Sequence, residues 1–201
     1  MGNNKGNNKK ESTLKHALVV ALGTFFIAIL ISSYSQIFLE RVSSMIFAFA
    51  LLFAIILVGI IFDIVGTAAT AATEAPFHAR ASRKLPGAKN SIWIVRNADK
   101  VANFCNDVVG DICGTVSGSV GAIIAVSLVP LFQGIEDLIV GTVMIGLVSS
   151  VTVGGKAFGK NMAVSKADKI ILIVGQVMSW FQKKPKGSNQ TAVKRGKGST
   201  K

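Results

Sequence analysis

Residues 103–121, NFCNDVVGDICGTVSGSVG, decide how this chain is read. Two acids, two asparagines and a ladder of glycines run without a break into the apolar stretch 122–129. Asp107 and Asp111 stand four apart, so on an α-helix both carboxylates point to one side. Gly110, Gly114 and Gly118 repeat the GxxxG spacing on a nearby stripe, which lets another helix backbone approach closely inside a bilayer. One helix therefore offers both a polar site and a packing seam.

The chain around it has the composition of a membrane protein. Of 201 residues, 50% are hydrophobic and 16% charged. The mean hydropathy of +0.53 exceeds what a soluble core of this size needs. The net charge of +12 lies in tails and loops between apolar runs, not on a folded face interleaved with stacking aromatics. That distribution argues against nucleic acid as a partner and for anionic lipid headgroups, near which juxtamembrane lysines gain about 1 kcal/mol each. Cys105 and Cys113 share one apolar stretch without a CxxC spacing, so they read as two small apolar side chains.

In chain order, residues 1–16 form a polar, lysine-rich tail expected to be disordered. Its Met-Gly start lacks the Ser or Thr that a myristoylation signal wants at position 6, where Gly6 stands. Residues 17–37 carry no charge and are long enough to span about 30 Å of hydrocarbon. A cleaved signal peptide is the rival reading, disfavoured by the length of the run and the lack of a clear cleavage site. A second span is expected over 43–74, where Asp63, Thr67, Thr70 and Glu74 recur at helical spacing as a polar stripe. The basic loop 77–100 is broken by LPGAK into two amphipathic pieces, the second carrying Trp93 at headgroup level. Further spans are expected over 101–129 and 138–160, with PLFQGIED as the turn between them. Residues 167–182 are too short to cross and read as a juxtamembrane amphipathic helix, followed by a disordered basic tail over 183–201. The fold class is thus an all-α integral membrane protein with one transmembrane domain, 17–181.

Charge sets the orientation. The amino-terminal tail, the basic loop and the carboxy-terminal tail fall on one side of four alternating spans, and the turns with Glu40, Arg41, Glu136 and Asp137 on the other. A multi-pass protein of the cell membrane with both termini cytoplasmic follows.

Carboxylates at membrane depth cost several kcal/mol unless paired, protonated or metal-bound. Asp63, Glu74, Asp107 and Asp111 all lie on helices at or near that depth. Oxygen ligands from Asp, Asn and Thr suit a hard cation such as Mg2+ or Ca2+, whereas softer metals favour the His and Cys that this cluster mostly lacks. His16 and His78 flank the spans as interfacial histidines. No nucleophile–base pairing or phosphate loop stands out, so neither an enzyme nor a bound cofactor is expected.

Residues 43–181 resemble the transmembrane domain of cyclin M and CorB-type divalent-cation transporters, also called domain of unknown function 21. The likeness lies in the order GTAATAAT, PGAK and RNADKV, FCNDVVG, GGKAFGKNMA and KADKIILIVGQVMSWF. It implies three spanning helices with a juxtamembrane helix, a homodimer, and transport of Mg2+ or Co2+. By that resemblance Thr67 matches the threonine of Ser-x-Ser-Glu-Thr-Ala, Asn106 the first asparagine of Gly-Asn-Asn, and Lys160 the lysine of Gly-Glu-x-x-Pro-Lys. The chain departs from these motifs at several positions. Gly66 replaces Glu, Asp63 and Val65 replace serines, Lys156 replaces Glu, and Gly159 replaces Pro. Asp107 stands at the second asparagine, where it partly compensates an acid exchanged for a base. The first helix lies outside the family domain, and no CBS-type nucleotide-binding module is expected after it.

Three functions follow. The first is a divalent-cation transporter with Asp63, Thr67, Asn106, Asp107 and Asp111 as oxygen ligands. The second is a non-transporting assembly protein in which Lys156 and Lys160 neutralise the buried acids, and Gly110, Gly114 and Gly118 form a dimer seam. The third is a carrier of another solute or of protons, using the same acids as a relay.

Overall fold

The computed structural model describes residues 4–41, 44–132 and 136–182, and within 4–41 the side chains of 15 and 17–37 only. The tail 183–201 and part of the PLFQGIED turn lie outside the described residues. The described residues are almost entirely helical, with no β-strand among them. Among them, four stretches are long and apolar enough to cross a membrane: Ala17–Ile37, Met45–Ala71, Ala98–Leu131 and Asp137–Ser165.

Helix α1, Asn4–Arg41, already runs through most of the stretch read as a disordered tail. Its lysines, glutamate and leucine tolerate a helix, and the apolar turns that follow supply the costly nucleus. Helix α2, Met45–Ala71, ends before Glu74, which corrects the expectation that the polar stripe is one continuous helix face. Pro76 accounts for the break: it has no N–H to donate to Ala72 O and its ring would crowd that carbonyl, so the chain turns extended at Ala72 and restarts as α3, Ala75–Ser82, with Pro in the first turn.

Helix α4, Ala88–Arg96, follows the LPGAK turn, where Gly87 adopts φ +83° as N-cap. The third span is composite: α5 (Ala98–Ala102), a π-helical segment (Asn103–Gly110), α6 (Asp111–Leu128) and a 3-10 turn (Val129–Leu131) that accommodates Pro130. Helix α7 covers Asp137–Ser165, beyond the expected end at 160, and α8 covers Ala167–Phe181.

Two cores hold these elements. The first joins α2, α6 and α7 through residues such as Leu52, Ile56, Val116, Ile124, Met144 and Val148. The second lies where α2, α3, α4, α7 and α8 meet, around Ala68, Ala69, Phe77, Ile94, Ala163 and Ile171. There α4 and α8 are clamped backbone to backbone. The fully buried Ser91 hydroxyl shares its one proton between Gly87 O at 3.1 Å and Ile171 O at 3.0 Å, and Asn90 Nδ2 donates to Gly175 O at 3.2 Å.

Helix α1 packs against α6, with Ala28 against the first core. Phe25 and Phe26 on α1, Phe47 on α2, and Leu138 and Val153 on α7 remain largely exposed. Apolar surface this extensive suits lipid and not water.

Candidate functional site

Glycine decides which helices come close. A Cβ at Gly159 would lie 2.7 Å from Ile64 Cγ1, and one at Gly155 would run into Ile60, so α7 approaches α2 with its backbone. Gly59 does the same for α6, where a Cβ would lie 2.9 Å from Cys113 Cβ. The GxxxG pair that closes α2 on α7 is therefore 155/159. On the expected ladder, Gly110 is in contact, with a would-be Cβ 3.4 Å from Lys156 Nζ. Gly114 and Gly118 have nothing within 4 Å of such a Cβ, so among the described residues neither seats a neighbouring helix.

The close approach of α7 delivers its two lysines to α2 and the π-helical segment. Lys156 Nζ donates to Gly110 O at 3.4 Å, and Lys160 Nζ lies 4.0 Å from Asp63 Oδ2. Asp63 is only 3% exposed. One helical turn further along α2, Gly66 seats the Asn106 amide: a Cβ there would lie 2.8 Å from Asn106 Cγ. Both groups end in an unsatisfied acceptor. Asp63 Oδ2 and Asn106 Oδ1 are buried and, among the described residues, receive no hydrogen bond. A buried acceptor without a donor costs about 1–3 kcal/mol, and more when charged. These two atoms therefore mark the polar site.

The remaining expected ligands are placed differently. Thr67 is half-buried on the same helix, and its carbonyl accepts from Thr70 Oγ1 at 2.9 Å. Asp107 and Asp111 are both exposed, away from the pocketed Asn106 amide, and neither pairs with Lys156 or Lys160 among the described residues. The π segment accounts for this placement. It inserts an i→i+5 turn where an α-helix was expected, and such insertions re-aim side chains at functional positions. No sequence rule marks it.

Glu74 has left the stripe for the surface. It accepts from His78 Nε2 and Arg96 Nε, each at 3.0 Å, which ties α3 to α4. The His78 hydrogen bond first, then that of Arg96, holds its carboxyl below the ordinary carboxylate range. Cys105 and Cys113 are buried free thiols.

Chemically, the site offers one carboxylate oxygen, one amide oxygen and two flanking ammonium groups. No group of three or more His, Cys, Asp or Glu residues able to hold a metal is found among the described residues. Mg2+ keeps several waters and is commonly held through one or two carboxylates, and the site offers one, that of Asp63. No protein-family model, curated protein or solved structure matches the chain, so the likeness to the CorB-type domain rests on the motifs quoted above.

Proposed function

We propose that this chain is a multi-pass membrane protein that transports a divalent cation of the Mg2+ or Co2+ type through a site built on Asp63 and Asn106. The observation that carries the reading is the pair of buried, donorless oxygens, Asp63 Oδ2 and Asn106 Oδ1. Two such oxygens, Asp63 on α2 and Asn106 seated on α2 at Gly66 one turn further along, suit a hard cation, which would satisfy both at once. The resemblance to CorB-type transporters points the same way. Lys156 and Lys160 raise the electrostatic energy of a bound cation. Weak binding is what a carrier needs, since its substrate must leave as well as enter.

The test is a melting series on purified protein. Millimolar Mg2+ is expected to raise the melting temperature of the wild type by mass action on the folded state, and Asp63→Asn and Asn106→Ala to abolish the gain. Lys160→Gln is expected to enlarge it. A wild type unmoved by any divalent ion sinks the reading.

A second reading is favoured by the 4.0 Å approach of Lys160 to Asp63: a buried charge pair that serves assembly, without transport. It predicts that Lys160→Gln alone destabilises the protein and that Asp63→Asn with Lys160→Gln recovers most of the loss. Additive losses in that cycle count against it.

A further inference from the structure

Just past the ends of the second and fourth candidate spans, at Ala71 and Ser165, the surface opens into a cavity of about 440 Å³ between α2, α3, α7 and α8. Phe77 forms part of its lining and is fully buried in the second core. Arg80 enters from α3, Lys166 from the α7–α8 junction and Lys169 from the first turn of α8. One acid, Asp168, lines the same cavity, and its Oδ1 accepts from the Thr73 backbone N–H at 3.2 Å. Among the described residues Arg80, Lys166 and Lys169 form no ion pair, whereas Arg96 is held at 3.0 Å by Glu74. Three cations thus converge on one cavity, against a single carboxylate already engaged by the backbone. The start of α8 adds the positive end of its dipole.

The depth of the cavity identifies the ligand. Its rim is the last turn of two apolar spans, the level at which lipid headgroups lie. Val164, on that rim, is 60% exposed and continues the lipid-facing side of α7, along which an acyl chain can run. We propose that this cavity binds the phosphate of an anionic phospholipid headgroup, with Arg80, Lys166 and Lys169 as its cationic partners. The proposal rests on the chain spanning a membrane and is independent of the Asp63 site.

The experiment is a thermal-melting titration of the full chain in detergent micelles with phosphatidylglycerol, phosphatidylcholine or inorganic phosphate. Phosphatidylglycerol is expected to raise the melting temperature in a saturable way, and phosphatidylcholine to leave it unmoved. Arg80→Gln and Lys169→Gln are each expected to weaken the phosphatidylglycerol effect roughly fivefold, the equivalent of about 1 kcal/mol per juxtamembrane cation. The paired control Arg83→Gln/Lys84→Gln, on the same loop but outside the cavity, is expected to retain it. If a variant melts lower without lipid, the saturation midpoint, which a uniform loss of stability leaves in place, decides. An equal effect of inorganic phosphate overturns the lipid assignment. A control that loses as much as the cavity variants, or variants that lose nothing, overturns the site.

Discussion

Gly66 gives the polar site its shape through what it lacks. The Asn106 amide occupies the space where a side chain would begin, with Cγ 2.8 Å from a would-be Cβ. Gly66→Ala is therefore expected to push Asn106 off α2, to cost about 1–3 kcal/mol of stability by overpacking, and to remove the melting gain from Mg2+. Urea unfolding and melting with and without Mg2+ measure both effects, and a variant that keeps the full gain separates Asn106 from the cation. Asp107→Ala provides the contrast. Its exposed side chain lies outside the buried pair, so the variant is expected within about 0.5 kcal/mol of wild type with the gain intact. Asp63 and Asn106 were legible as candidates because a polar group in an apolar run is costly. Asp107 and Asp111 were legible as sharing a side, but spacing does not say whether that side faces a neighbouring helix or the outside.

Among the elements, the glycines that clamp α7 on α2 and α8 on α4 lie away from the ladder that stands out in the sequence. At the α4–α8 clamp, a Cβ on Gly175 would lie 2.6 Å from Gly87 O and 3.0 Å from Ser91 N, backbone atoms that cannot swing aside. Gly175→Ala is expected to separate α8 from α4 at a cost of about 1–3 kcal/mol. Gly114→Ala meets nothing within 4 Å and is expected to stabilise the folded monomer by about 0.5–1 kcal/mol through helix propensity. Chemical unfolding of the two variants side by side reads the difference, and equal losses would return Gly114 to an intramolecular seam. A homodimer built on Gly114 and Gly118 would lose dimer in the same variant while its monomer stability rises. A GxxxG spacing is a licence for close approach, and only the partner helix determines whether it is used. Likewise, the helix break at Pro76 was written in the sequence as proline chemistry, but the run of small residues before it carries no periodic signal that separates a continuing helix from a turn.

For the molecule as a whole, the four candidate spans were legible because bilayer thickness demands about 20 apolar residues per helix, a requirement that no soluble fold imposes. Their packing was not legible, since Leu, Ile and Val serve lipid and core equally well. Helix α1 shows this: its stretch Ala17–Ile37 is as apolar as the candidate spans Ala98–Leu131 and Asp137–Ser165, yet it packs on α6 and leaves Phe25 and Phe26 outside. Four crossings would put the tails and the loop 77–100 on one side, and on that reading a reporter fused after Lys201 is expected to read as cytoplasmic. The decisive version removes residues 1–41, leaving three candidate spans. Orientation follows the K/R bias of short loops near the ends of spans, and Arg80, Arg83, Lys84, Lys89, Arg96 and Lys100 remain in place. The carboxy-terminal reporter is therefore expected to stay cytoplasmic in the shortened chain, whose new amino terminus then lies outside. A reporter that moves outside on truncation would assign the orientation to the lysines of the amino-terminal tail, and make α1 the element that places the polar site in the bilayer.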